Sequence, residues 1–147
     1  MSAKPSDYAG DVSARAAWEA LRADPRAQLV DVRTMAEWNF VGLPDLSSVG
    51  RGVQRVEWQR FPSMAPNTSF VAEASEAILA AGGAKDAPVY FLCRSGARSR
   101  AAAIAMTQAG FQQAFNVAGG FEGDLDPESH RGAKSGWKAE NLPWKQS

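Results

Sequence analysis

The stretch Val89–Arg100 reads Val-Tyr-Phe-Leu-Cys-Arg-Ser-Gly-Ala-Arg-Ser-Arg, and it decides the fold. Its first four residues are apolar, which is typical of a strand buried on both faces. The alanine-rich segment that follows predicts a helix over residues 99–109, closed by Gly110. A short glycine-containing loop between this strand and this helix would place Cys93 at the carboxyl edge of a sheet, beside a helix N-terminus.

The segments on either side continue an alternation of helix and strand. Apolar spacing and capping signals, among them a capping-box pair at Thr34 and Glu37, predict helices over residues 11–23, 34–40, 67–81 and 99–109, and strands over residues 28–32, 53–56, 89–92 and 114–117. Turn-forming residues favour irregular structure over residues 42–52 and 57–66. This order predicts an α/β fold with a central, mainly parallel sheet flanked by helices on both faces. In such sheets the ligand site lies beyond the carboxyl ends of the strands.

Cys93 has the surroundings of a reactive thiol. Unpaired amides at a helix start and the helix dipole create positive potential there, and Arg94, Arg98 and Arg100 add three positive charges. These features favour the thiolate, which is the nucleophilic form of cysteine. A lone cysteine after an apolar strand is more commonly a small core residue. However, a core position rarely lies beside so many charges, so the sequence favours a nucleophile.

Three motifs resemble the rhodanese-like sulfurtransferases, in the order that this family shows. Residues 93–98 (Cys-Arg-Ser-Gly-Ala-Arg) resemble its active-site loop. Residues 29–33 (Leu-Val-Asp-Val-Arg), followed by Glu37-Trp38, resemble its first strand, and residues 116–120 (Asn-Val-Ala-Gly-Gly) resemble the segment after its last strand. Residues 42–46 read Gly-Leu-Pro-Asp-Leu where the family usually has Gly-His-Ile-Pro-Gly-Ala. The resemblance spans roughly residues 12–123 and implies a rhodanese-like three-layer fold.

The resemblance also implies a function, the transfer of a sulfane sulfur. A small anionic donor such as thiosulfate would load a persulfide onto Cys93, and a thiophilic acceptor, cyanide or a thiol, would remove the sulfur. A sulfur-accepting protein is a further candidate partner. No cofactor or metal is expected beyond the covalent intermediate. Cys93 is the expected catalytic residue, and the expected donor-binding residues are Arg94, Ser95, Gly96, Ala97, Arg98, Ser99 and Trp58.

Several of these side chains have an alternative interpretation. Arg94 and Arg98 suit bidentate contacts to oxyanions, but either could face solvent or pair with a carboxylate. Asp31 and Arg33 end the first predicted strand and are expected to form an ion pair that supports the scaffold near the site. Trp58 could wall the pocket or, as aromatic residues more often do, belong to the core.

Composition bounds the remaining possibilities. The chain has 147 residues, 16 basic and 16 acidic, with one cysteine and one histidine, His130, which is expected in a solvated loop. A single domain is therefore expected, with a flexible N-terminus over residues 1–10, a rhodanese-like domain over residues 11–123, and a tail over residues 124–147 that packs on it through Trp137 and Trp144. Zero net charge gives no general attraction to nucleic acid or anionic lipid. A signal peptide, a membrane span and a metal centre built on several thiolates are not expected, so the chain is expected in the cytoplasm.

Two rival functions use a similar strand, loop and helix. A cysteine phosphatase needs the spacing Cys-x5-Arg to surround a phosphate group, whereas Cys93 and Arg98 have the spacing Cys-x4-Arg. Arsenate reduction needs a second cysteine to resolve the adduct, and the chain has one. A non-catalytic rhodanese-like binding or sulfur-carrier module is the other alternative. Such modules often lack the cysteine that this chain keeps.

Overall fold

The computed structural model describes residues 7–123, 127–128 and 136–145. The strands are β1 (Gly10–Val12), β2 (Gln28–Asp31), β3 (Leu43–Pro44), β4 (Gln54–Arg55), β5 (Gln59–Arg60), β6 (Ala65–Pro66), β7 (Val89–Leu92), β8 (Ala114–Val117) and β9 (Trp144–Lys145). The central sheet has five strands, all parallel, in the spatial order β1-β8-β7-β2-β4. Four short strands outside this sheet form two antiparallel pairs, β3 with β9 and β5 with β6.

Helices cover both faces of the sheet, as the alternating pattern predicts. They are α1 (Ala14–Ala23), α2 (Met35–Phe40), α3 (Phe70–Ala80), α4 (Ala97–Gln108) and α5 (Gly136–Ala139). Successive residues of β7 join different cores: Phe91 packs with residues of α3 and α4, and Leu92 packs with residues of α1 and α5. The three-layer α/β fold expected from the sequence is therefore confirmed.

The first element of the sheet differs from the prediction. Residues 10–12 form the edge strand β1, which pairs with β8, and α1 begins only after Ser13, whose hydroxyl caps it. The sequence pattern predicted a helix from residue 11 because a three-residue edge strand is too short to show a period of two. The correction matters, because Asp11 lies on a sheet edge rather than in a helix.

Other boundaries differ by smaller amounts. The helix after Cys93 begins at Ala97, two residues earlier than predicted, and α3 begins at Phe70. The segment interpreted as irregular, residues 57–66, contains the hairpin of β5 and β6, and the predicted loop after Gly42 contains β3. The capping box at Thr34 and Glu37 is confirmed.

The C-terminal residues that the structure describes pack on the domain. Trp137 of α5 is fully buried; its indole N–H donates to the carbonyl of Pro143 at 2.6 Å, and its ring meets the edge of Trp18. Trp144 of β9 stays 41% exposed and packs its ring against Phe121. His130 and most of residues 124–135 lie outside the described residues.

Candidate active site

Cys93 follows β7 directly and lies in the loop that leads into α4. The backbone N–H of Gly96 donates a hydrogen bond to its Sγ at 3.1 Å. Gly96 caps α4 with φ +124°, a conformation that other residues rarely adopt, so this position depends on glycine. Cys93 is 1% exposed, so the loop encloses its side chain closely.

The segment after β8 holds the start of this loop. The amide of Phe121 donates to the carbonyl of Cys93 at 2.8 Å, and the amides of Glu122 and Gly123 donate to the carbonyl of Arg94. A Cβ atom at Gly120 would stand 2.5 Å from the carbonyl oxygen of Cys93, so only glycine allows the two segments to approach this closely. The segment that contains Gly119 and Gly120 therefore holds the backbone of the cysteine loop in place.

Ser99, in the first turn of α4, connects the Cys93 sulfur to a series of hydrogen-bonded side chains that ends at the exposed Asp11. Its Oγ lies 3.2 Å from Cys93 Sγ and 2.5 Å from Oδ1 of Asn116 on β8. The Nδ2 group of Asn116 donates to Oδ1 of Asp11 on β1 at 2.9 Å. Ser99 and Asn116 are fully buried, so three side chains from β1, β8 and α4 lead from the sheet edge to the sulfur.

Arg98 has a carboxylate partner, which is the alternative that the sequence left open. Its two terminal nitrogens donate to the two oxygens of Glu37 at 2.7 and 2.9 Å, and each side chain is 21% exposed. Oε1 of Glu37 also accepts from the amide and hydroxyl of Thr34. The capping box of α2 and the cysteine loop are thus joined through a single carboxylate.

Glu37 and Arg98 shift each other's pKa. Burial by itself would raise the pKa of Glu37, but the hydrogen bonds and charge of Arg98 hold that pKa below its usual range. The hydrogen bond to Glu37 raises the pKa of Arg98, burial opposes this, and the charges of Glu37 and Cys93 add to the increase. Both groups therefore stay ionised near neutrality.

The structure contains the expected ion pair of Asp31 and Arg33. Both side chains are fully buried, and Arg33 Nη2 donates to Asp31 Oδ2 at 2.7 Å. The same nitrogen donates to the carbonyl of Gly42, and the guanidinium lies 4.3 Å from the ring centroid of Phe121. The pair thus joins the end of β2 to the turn before β3 and to the segment that supports the cysteine loop.

An open cavity of about 490 Å³ lies beside the loop. Arg94 and Arg98 line it together with Glu37, Val41, Gln59, Met64 and Glu122. Arg94 is exposed at the cavity, and it forms no ion pair with the residues that the structure describes.

Trp58 does not line this cavity, which corrects its assignment as a pocket wall. Its ring packs edge-on against Phe70, with centroids 4.9 Å apart, and it joins the core beneath α3. The wall contribution of this segment comes from Gln59 and Met64 instead. The sequence alone allows Trp58 to lie either in the pocket wall or in the core. The core position buries its large ring against Phe70, which explains its placement.

The remaining loop residues, Ser95 and Ala97, stay predicted site residues, and three residues that hydrogen bonds connect to the loop were not among the predicted ones. Ser95 is half-buried within the loop, and Ala97 is exposed as the first residue of α4. The missed residues are Glu37, Asn116 and Asp11. The sequence indicates Glu37 as a helix cap and as part of a family motif, but its contact with Arg98 spans 61 residues, a separation that local patterns do not reveal.

Two negative findings apply to the described residues. None of their helices is long and apolar enough to cross a bilayer. Among the same residues, no group of three or more His, Cys, Asp or Glu side chains is arranged to hold a metal ion.

A protein family described as STR4 middle domain matches residues 9–147. The chain belongs to this family. Relatives of the chain include two uncharacterized proteins of Rickettsia. The protein from Rickettsia conorii is 36% identical over 129 residues, covering 87% of this chain and 90% of the relative. The protein from Rickettsia prowazekii is 35% identical over the same length.

Two solved structures show the same fold. The crystal structure of Rv0390 from M. tuberculosis is 53% identical, with a TM-score of 0.85 over 95% of this chain and 99% of that chain. The solution structure of a 30 kDa polysulfide-sulfur transferase homodimer from Wolinella succinogenes is 22% identical, with a TM-score of 0.58 over 97% of this chain and 82% of that chain. The fold is therefore rhodanese-like, as the motifs imply.

Proposed function

We propose that the protein is a sulfurtransferase of the rhodanese type, acting in the cytoplasm through a persulfide on Cys93. The Cys93 thiolate attacks the outer sulfur of an anionic donor such as thiosulfate. A new S–S bond forms on Cys93, the S–S bond of the donor breaks, and sulfite leaves with the electron pair. Cyanide or a thiolate, from a small molecule or a sulfur-accepting protein, then attacks the outer sulfur and regenerates the Cys93 thiolate.

One observation carries this proposal, the amide of Gly96 aimed at Cys93 Sγ at 3.1 Å. A hydrogen-bond donor fixed on the sulfur stabilises negative charge there without further reorganisation. The chain has no second cysteine, so covalent loading and unloading of one sulfur atom suits it better than dithiol chemistry. The fold shared with a polysulfide-sulfur transferase agrees with this chemistry.

The two loop arginines take different parts in this proposal. Arg94, exposed at the cavity, attracts the anionic donor, while Arg98 is held by Glu37 and shapes the cavity wall. The close packing around Cys93 favours a small donor that delivers one sulfur atom. Asp31 and Arg33 support the strand end from below and do not contact the donor.

The same geometry disfavours a phosphatase. Phosphate transfer needs a free guanidinium that closes over the phosphate, but both terminal nitrogens of Arg98 already donate to Glu37. The loop is also one residue shorter than Cys-x5-Arg. We therefore expect no Cys93-dependent hydrolysis of p-nitrophenyl phosphate. Efficient hydrolysis would instead indicate that the protein is a phosphatase.

Intact mass spectrometry after exposure to thiosulfate tests the proposal. We expect one added sulfur atom on the wild-type chain, its removal by cyanide with formation of thiocyanate, and no addition to Cys93→Ser, whose hydroxyl stays protonated. A persulfide that forms but is not turned over by cyanide or thiols would indicate a sulfur-carrier module instead. Sulfur transfer that persists in Cys93→Ser would refute the covalent mechanism.

A further inference from the structure

The side chains of Asp11, Asn116 and Ser99 form a series of hydrogen bonds, and their chemistry fixes which group donates at each step. A carboxylate can only accept hydrogen bonds, so the amide nitrogen of Asn116 must face Asp11, at 2.9 Å. The carbonyl oxygen Oδ1 of Asn116 therefore faces Ser99, and it too can only accept. The Ser99 hydroxyl proton is thus directed to Asn116 Oδ1, which is its shortest contact at 2.5 Å.

Ser99 has one proton and three acceptors within reach. Besides Asn116 Oδ1, its Oγ lies 3.2 Å from Cys93 Sγ and 3.2 Å from the carbonyl of Gly96. The Gly96 carbonyl already accepts from the backbone amide of Arg100 at 3.1 Å. With its proton on Asn116, Ser99 presents a lone pair, and not a hydrogen-bond donor, to the sulfur.

We propose that Asp11 acts as a positioning residue that, through Asn116, keeps the Ser99 hydroxyl proton away from the Cys93 sulfur. A Cys93 thiolate would be stabilised by a Ser99 hydroxyl turned towards it, but that turn breaks the buried hydrogen bond to Asn116. The hydrogen-bond chain therefore withholds one donor from the sulfur, and the amide of Gly96 remains aimed at it. It transmits orientation and carries no proton, because the amide of Asn116 does not pass one on.

This device has a chemical use if Cys93 is the reacting group, as the proposed function holds. Thiolates with a lower pKa are weaker nucleophiles, so a sulfur with fewer donors attacks a sulfur donor more effectively once it is ionised. Asp11 would thereby limit the hydrogen bonds to the sulfur to the one from Gly96, which keeps the thiolate nucleophilic.

The charged and titratable groups around these three residues come from the segment before β1 and from α4. The Tyr8 hydroxyl donates to Asp11 Oδ1 at 2.8 Å, and the Arg100 guanidinium lies 3.9 Å from Oδ2. Burial, and then the hydrogen bond to Asp11, raise the pKa of Tyr8, so it remains a donor near neutrality. On the other side, the positive charge of Arg98 acts on Cys93. A test of Asp11 must therefore separate orientation from simple loss of charge.

The pH dependence of Cys93 alkylation by iodoacetamide makes this separation and does not depend on sulfur transfer. Asp11→Ala removes the acceptor and lets Asn116 turn its amide towards Ser99, so the midpoint of the profile should fall by about half a unit to one unit. Asp11→Asn is the matched control: it keeps an acceptor oxygen but loses the charge, and the midpoint should stay near that of the wild type. In a Ser99→Ala background, Asp11→Ala should have no effect.

Equal shifts in Asp11→Asn and Asp11→Ala, or the same shift with and without Ser99, would show a charge effect and overturn the inference. No shift in Asp11→Ala would also overturn it. Asp11→Val, which suits a strand and lacks an acceptor, replaces the alanine variant if that variant unfolds. Because alkylation reports only on the thiolate, this inference can fail while the persulfide still forms, and it can hold in a chain that transfers no sulfur.

Discussion

Two arginine–carboxylate pairs lie at neighbouring strand ends, and they differ in what surrounds them. Arg33 and Asp31, after β2, are both 0% exposed. Arg98 and Glu37, beside the loop after β7, are each 21% exposed and line the cavity. In both pairs two guanidinium nitrogens meet the carboxylate. The same interaction therefore supports the scaffold in one place and, in the other, lines the cavity where we propose that a donor binds.

The largest expected effect is on the buried pair. Asp31→Asn leaves the Arg33 charge enclosed without an anion, which should lower the free energy of unfolding by about 3–5 kcal/mol in urea titrations. Glu37→Gln, the matched change in the cavity pair, should lower it by about 1 kcal/mol, because solvent reaches that pair.

A second variant shows that charge, and not packing, is responsible. The double replacement Asp31→Leu/Arg33→Met removes both charges and should recover much of the lost stability, as buried pairs replaced by apolar residues commonly do. If the double variant is no more stable than Asp31→Asn, the hydrogen bond from Arg33 to the carbonyl of Gly42 is the important contact instead.

The cavity pair should matter more for activity than for stability. Arg98→Ala leaves the Glu37 carboxylate facing the cavity without its partner, which repels an anionic donor. We expect kcat/KM for thiosulfate to fall roughly ten- to hundred-fold, because repulsion of about 1.5–3 kcal/mol lies between the values for two charges in contact in water and near a protein surface. Arg98→Lys should recover only part of the loss, because an ammonium group cannot form the planar two-nitrogen contact.

Removing the carboxylate as well identifies the cause. Arg98→Ala/Glu37→Gln should recover part of the donor kinetics, since the double variant no longer presents an unpaired negative charge. Donor kinetics that are unchanged in Arg98→Ala would show that Arg94 alone attracts the donor and that the Glu37–Arg98 pair is only a structural link.

The comparison also shows which contacts a sequence reveals. The Asp31–Arg33 pair could be predicted because the two residues lie two positions apart at the end of an apolar run. The position of Cys93 could be predicted in the same way, since strand, loop and helix are continuous. These are local patterns, and they place most of the sheet, the helices and the reactive loop.

The contacts that were missed join distant parts of the chain. Glu37 meets Arg98 across 61 residues, and Asn116 meets Asp11 across 105 residues. The position of Asp11 was also hard to predict, because β1 has three residues and is defined by its pairing with β8. The position of Trp58 depends on burial, because its ring packs in the core next to α3, and no local pattern indicates this contact.

The smallest effect that we expect is the pH dependence of the cavity pair. Arg98 holds the pKa of Glu37 below its usual value of 4.5, although burial alone would raise it. A carboxyl whose pKa is lowered by folding stabilises the folded state fully above its unfolded pKa, and this contribution is lost as the pH falls through the folded pKa. The difference in unfolding free energy between the wild type and Glu37→Gln should therefore be constant near neutrality and shrink as the pH falls below 4.5. Urea titrations of both proteins across this range measure it. A difference that is independent of pH down to strongly acid conditions would mean that Glu37 acts through its shape and its hydrogen bonds to Thr34, and that the charge of Arg98 contributes nothing to folding.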